Sequence, residues 1–410
     1  MHTKIDTLIQ NLDITPRMYA QAKRQYEEIA GFFLENGIHA DFYPQGSFRL
    51  GTVVRPYDRG VEKLYDLDII GELALNKDCP QLTPKFLKTE FGRLLSNHPR
   101  YNACLKEECD RCWTLSFGEK GFELDIVPSV HETDAYVESL IRRGIPAIFA
   151  RNAIAITHKA SDYTYDWCES NPRGYALWFD EINAPYLAIS RETHRKRVLA
   201  ESEGLFSSIE EIPVLLDRSA LQRVIQILKR HRDVYFSNAS KADNTAWDYR
   251  PSSIIITTLC AQIAAECVPT GDIFELLQTV VQELRAHSKL KDCEESIGFE
   301  FERRRAYIRK SSGKWSIKNP VNPDDDFTDC WTSKHADYFF RWIEAAICDL
   351  FVQHDLNEEI QFASLKRAFG KEYVESVYPN SVRKNIPRIE TGTQPYLGGN
   401  NANQHCHPTN

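Results

Sequence analysis

Three acidic residues set in apolar runs carry the sharpest chemical signal in the chain: Asp66 and Asp68 in YDLDII, and Asp125 in FELDIV. In a strand alternate side chains share a face, so Asp66 and Asp68 point one way while Leu67 and Ile69 turn into the core. Two carboxylates forced together repel, a repulsion that divalent cations between them relieve. A third carboxylate on a neighbouring strand, Asp125, completes the oxygen-rich set that magnesium prefers. Two such ions, roughly 4 Å apart, activate an attacking hydroxyl and steady the leaving group of an in-line phosphoryl displacement. Gly46-Ser47, upstream, suits the same chemistry. A glycine admits close approach of a phosphate, and a serine hydroxyl with N–H groups at a helix start supplies donors to it. Gln45, Arg49 and Arg55 add a hydrogen-bonding side chain and positive charge nearby. A lone Asp-x-Asp is commonly a solvated edge and a lone Gly-Ser a turn; the order of the motifs and their apolar setting give the combination its meaning.

The elements that must position these residues are legible in outline. Thr15-Pro16 reads as an N-cap and first-turn proline opening a helix over residues 16–36 that Gly37 stops. From about 39 to 130 the pattern is strand-like, with ADFYPQGS, YDLDIIGEL, RCWTLSF and FELDIVPS separated by turns and by a helix near 84–96. Beyond about 180 helical periodicity takes over: Leu221, Val224, Ile225 and Leu228 form one stripe, and further helices are predicted near 252–267, 272–288 and 335–353. The fold class is therefore α+β: a mixed-sheet lobe over residues 1–180, a helical lobe over 181–380 and a flexible polar tail over 381–410, with the active site in the cleft between the lobes. SNPRGYALWFDEINAP, with its prolines and glycine, is the expected crossing.

Composition narrows the partners. With 50 Lys+Arg against 58 Asp+Glu the net charge is −8, which argues against wrapping long nucleic acid but leaves room for a small triphosphate held by a local basic cluster. No run approaches the roughly 20 apolar residues of a membrane span, and the first residues lack the basic flank and apolar core of a signal peptide, so the expected location is the cytoplasm. The 11 cysteines are odd in number and scattered through apolar stretches, the pattern of reduced thiols. Cys104, Cys109 and Cys112 with His98 upstream are a poor match to a zinc site, and His405, Cys406 and His407 sit in the tail.

QGSFRLGTVVRP followed by YDLDII resembles the DNA polymerase β-like nucleotidyltransferases and, more narrowly, the bacterial cGAS/DncV-like nucleotidyltransferases, or CD-NTases, of anti-phage signalling. LQRVIQILKRHRDVYF resembles the family helix that sets a lysine on donor phosphates, here Lys229, and RPSSIIITTLCA the helix after it, whose second serine is Ser253. Lys229 lies off the apolar stripe and can face the cleft, although KRHR also reads as an ordinary solvated helix face. The resemblance implies that Gly46 and Ser47 grip a triphosphate, with Gln45 beside them, and that Asp66, Asp68 and Asp125 hold two Mg2+ ions, replaceable by Mn2+. It also implies that Lys229 and Ser253 contact phosphates. The implied activity joins ATP, GTP or other nucleoside triphosphates into a cyclic di- or trinucleotide second messenger, such as cGAMP. In such systems (CBASS) a downstream effector senses the product and the C-terminus can be conjugated to a target. The rival reading is a nucleotidyltransferase acting on an RNA or protein acceptor. One departure stands out: Ile254 follows Ser253 where an animal relative has a base-stacking aromatic, so stacking is expected instead from Tyr163, Tyr165, Trp167, Tyr175 or Trp178.

Overall fold

A computed structural model of the chain describes residues 2–58, 61–118, 121–201, 217–293, 306–351 and 357–379. The expected tail, with His405, Cys406 and His407, lies outside them.

The helix Pro16–Glu35 begins as its sequence dictates: the Thr15 hydroxyl accepts from the Met18 N–H, and Pro16 occupies the first turn, where no intrahelical N–H is needed. Its buried residues Ala22, Gln25, Ile29 and Phe33 recur at helical spacing and turn onto a sheet. In chain order the strands are β1 (Ala40–Gln45), a short hairpin of β2 (Tyr57–Asp58) and β3 (Val61–Glu62), β4 (Tyr65–Asn76), β5 (Trp113–Phe117), β6 (Phe122–His131), β7 (Ile154–Lys159) and β8 (Tyr165–Ser170). The six long strands form one mixed sheet in the order β1-β4-β6-β7-β8, with β5 pairing the free end of β6. β4 and β6 are parallel and the other neighbours antiparallel.

Alternation along β4 and β6 separates two faces. Leu67, Ile69, Leu124 and Ile126 are fully buried with Phe33 and Phe91 of the helices Pro16–Glu35 and Pro84–Asn97. Each such side chain contributes about 1.5–3 kcal/mol relative to exposure, so a one-residue slip that drove the aspartates into this core is strongly disfavoured. The acidic side chains are left on the opposite face.

The second lobe is built around the helix Ala220–Ala239, opened by a capping box between Ser219 and Gln222 and buried on almost every side. The helices Ser253–Ala264, Ile273–Ala286 and Ser333–Leu350, close to their sequence-predicted spans, surround it together with Glu358–Phe369, which the sequence reading did not include. Short paired segments between Arg309 and Asp326, which no periodicity announced, complete the lobe.

The expected crossing segment lies within a helix. SNPRGYALWFDEINAP is not a loop: the helix Pro172–Glu201 starts at its first proline and runs without interruption past residue 180. The helix His2–Leu12 sends Ile5, Leu8, Ile9 and Leu12 into the core of the helical lobe rather than that of the sheet lobe. Among the described residues no helix is long and apolar enough to cross a membrane.

Candidate active site

The parallel register of β4 and β6 sets Asp66 opposite Glu123 and Asp68 opposite Asp125. Paired residues on adjacent strands point to the same side, so Asp66, Asp68 and Asp125 share the face away from the aromatic core. Burial pushes the Asp68 carboxyl up to about 7, with the Asp125 and Asp66 charges adding to the shift. Asp66 is pushed up to about 6, again by burial first and Asp125 second. Asp125 is also raised by burial, against the pull of a 2.5 Å hydrogen bond that Thr114 Oγ1 donates to its Oδ1. Lys106, whose charge opposes the rise at Asp66 and Asp125, is committed to Glu123 at 2.6 and 2.7 Å.

These residues fit a divalent cation by charge and donor type: oxygen ligands that destabilise one another when ionised. They do not form a closed cage. Among the described residues no group of three or more His, Cys, Asp or Glu converges tightly enough to hold a metal by itself. Mutual repulsion of like charges explains the spread, and an incoming triphosphate brings further oxygen ligands of its own.

The Gly-Ser turn is in direct contact with this face. Gln45 pairs with Asp68 across β1 and β4, and the chain then turns into the short helix Gly46–Leu50. Gly46 has φ +61, and a Cβ there would lie 2.5 Å from Asp68 Oδ2. Only glycine meets both demands, backbone twist and clearance, so its presence is explained by this one carboxylate. The Ser47 hydroxyl makes no hydrogen bond among the described residues and stands half-buried at the helix start.

Lys229 is turned toward the sheet lobe, beside the segment that follows the Gly-Ser turn. It is not on a solvated face: it is 3% exposed, and its Nζ donates to Thr52 O at 3.2 Å and Thr52 Oγ1 at 3.1 Å. Burial lowers it to about 7, with the Arg232 charge adding to the effect and Asp68 opposing it. It belongs to a polar stripe that fastens the central helix to the strand-like segment after the Gly-Ser turn. Gln222 donates to Leu50 O at 2.8 Å, Gln226 to Val53 O at 2.8 Å and Arg230 to Arg55 O at 3.3 Å. Ser253 is the first residue of its helix and exposed; Arg232 Nη1 donates to its Oγ at 3.1 Å and to Pro251 O at 3.0 Å. Arg232 is thus a partner of the candidate residue Ser253 that sequence reasoning missed. Its signal was position, one turn beyond Lys229 on the same helix.

Other expected residues are engaged elsewhere. Arg49 is held by Asp180 on the interlobe helix, with contacts of 3.3 and 2.5 Å, and Arg55 donates to Asn11 O at 3.3 Å. Tyr175 is buried and bonded to Thr258, Trp167 packs on the sheet core, and Trp178 lies beside Tyr175 against the helical core. Tyr165 is bonded to Glu108, which leaves Tyr163, 75% exposed, as the accessible ring of the five. His98 Nδ1 accepts the N–H of Tyr101, a helix cap rather than a metal ligand.

No known family profile matches the chain. It is 26% identical over 366 residues, 86% of its own length and 80% of the relative's, to a c-di-GMP synthase of Roseivirga ehrenbergii. Its fold is that of the Bradyrhizobium diazoefficiens CD-NTase CdnG, solved with GTP, at TM-score 0.61 and 20% identity over 91% of this chain and 96% of that one. It also matches Escherichia coli MS115-1 CdnC, solved with ATP, at TM-score 0.55 and 14% identity over 91% and 98%. The sequence likeness thus spans most of both chains, and the α+β fold is shared with CD-NTases of known structure along nearly their whole length.

Proposed function

We infer that the chain joins nucleoside triphosphates into a cyclic di- or trinucleotide second messenger by nucleotidyl transfer at the Asp66–Asp68–Asp125 face. A ribose hydroxyl attacks an α-phosphate, pyrophosphate leaves, and a second round closes the ring. Asp66, Asp68 and Asp125 would hold two magnesium ions, with manganese able to replace them; when bound these activate the hydroxyl and neutralise charge on the leaving group.

The residues supply the rest. Gly46 and Ser47, with Gln45 behind them, offer the backbone approach and free hydroxyl that grip the triphosphate. Asp125, whose proton affinity is raised by burial, takes the proton of the attacking hydroxyl. Ser253, oriented by Arg232, contacts donor phosphates, while buried Lys229 acts through Thr52 and its field on Asp68. ATP and GTP are the substrates that fit best, since a c-di-GMP synthase and proteins solved with GTP and ATP are the relatives in hand. In the anti-phage role that the family implies, the product is read by a downstream effector.

The single observation that carries this reading is the register that puts Asp125 beside Asp68, with Asp68 in turn against Gly46. Purified protein incubated with magnesium, ATP and GTP yields a cyclic oligonucleotide by mass spectrometry, and Asp66→Ala and Asp68→Ala yield none. Equal product from wild type and both variants, or no oligonucleotide at all, overturns it.

A further inference from the structure

Two thiols converge on the hydroxyl that holds Asp125. Cys109 Sγ lies 3.6 Å and Cys112 Sγ 3.8 Å from Thr114 Oγ1, the atom that donates to Asp125 Oδ1 at 2.5 Å. Both sulfurs are half-buried, hence reachable by a small oxidant. The bend that brings them together is fixed by Lys88, which is buried and donates to Cys109 O and Asp110 O, each at 2.5 Å, and by the Lys159 N–H, which donates to Asp110 O at 2.8 Å. A Cys-x-x-Cys bend held in this way suits a short disulfide ring.

We propose that Cys109 and Cys112 form a reversible disulfide that reorganises the Thr114 hydroxyl holding Asp125 and switches the site off; the switch rests on the reading of Asp125 as a metal ligand, whereas the thiol pair does not. With a hydroperoxide as oxidant, the Cys109 sulfur takes one peroxide oxygen, giving a sulfenic acid and one water or alcohol. The Cys112 thiol then attacks that sulfur, forming the S–S bond and releasing water. Two electrons pass from the sulfurs to the peroxide. The product has neither S–H, so the Thr114 hydroxyl that holds Asp125 loses both thiol partners as the sulfurs close to about 2.05 Å. Partners that orient a metal ligand are worth about 10–100-fold in affinity or activity, the size of the loss expected.

The test treats full-length protein with hydrogen peroxide and then with dithiothreitol. Peptide mapping reports the disulfide, and the magnesium-induced rise in melting temperature and the rate of product formation report the site. The expected result is a Cys109–Cys112 bond, loss of the magnesium response and of activity, and recovery of both on reduction, with Cys109→Ser and Cys109→Ala insensitive throughout. No disulfide between the pair at peroxide levels that oxidise exposed Cys330 and Cys348 overturns the proposal. So does a disulfide that leaves both readouts unchanged. Reduced protein that never responds to magnesium overturns the metal-site reading and the switch with it, while peptide mapping still reports separately on the thiol pair.

Discussion

At the scale of single residues the site is governed by the cost of ionising carboxylates close together. A carboxyl whose pKa is raised on folding contributes stability that is complete below its unfolded value and is lost as pH rises through its folded value. Asp66 and Asp68 are raised to about 6 and about 7, so metal-free protein loses stability between roughly pH 4 and pH 7. Magnesium should accordingly raise the melting temperature more at pH 8 than at pH 5. Asp68→Asn should melt higher than wild type at pH 8 without metal and show no magnesium response; calorimetry across that range checks both. Asp125→Asn should lower kcat by about 10²–10⁴-fold if Asp125 accepts the proton. Thr114→Val removes the bond that lowers Asp125. The acid limb of the kcat/KM profile should therefore move to higher pH.

At the scale of elements, two short pieces of backbone decide whether the residues meet. The Gly-Ser turn needs φ +61 with nothing on the α-carbon, because Asp68 Oδ2 fills that space. Gly46→Ala should destabilise by at least the roughly 1–2 kcal/mol that a left-handed residue costs, and should abolish product formation, read by denaturant melts and a pyrophosphate-release assay. The second piece is the fastening of residues 50–57 to the central helix through Gln222, Gln226, Lys229 and Arg230. Lys229 is lowered to about 7 by burial, so it binds fewer protons folded than unfolded, and its penalty is full below pH 7 and fades toward pH 10. Lys229→Met should raise the melting temperature most at pH 6 while raising KM for the triphosphate. A melting gain as large at pH 10 as at pH 6 contradicts a desolvated ammonium.

Among the described residues two large cores, with two smaller clusters beside them, share segments that cross between them. Ile5, Leu8, Ile9 and Leu12 belong to the helical core although they precede the entire sheet lobe in sequence. Each buried side chain contributes about 1.5–3 kcal/mol, so deleting residues 2–12 removes a sizeable part of a domain's net stability. Loss of the cooperative melt in that truncation is the expected result; an unchanged melt would mean that the first helix is dispensable. The Arg49–Asp180 pair ties the Gly-Ser helix to the interlobe helix but is partly exposed at both ends. Asp180→Ala should therefore cost only about 0.2–1 kcal/mol, and any larger effect should appear in catalysis.

The sequence by itself determined the elements and the set of acids. Thr15-Pro16 capping, period-two alternation and helical stripes are local, and an aspartate between two buried aliphatics has its facing fixed by its neighbours. The adjacency of Asp125 to Asp68 required the parallel pairing of two distant strands, which alternation predicts in face but not in register. Lys229 and Arg232 show the same limit. KRHR looks solvated because only the tertiary structure lays Thr52, Pro251 and Ser253 against that stripe and makes buried charges tolerable. The helix Pro172–Glu201 was not legible in the expected crossing because proline and glycine punctuation is a local preference, and packing of both lobes along the helix outweighs it.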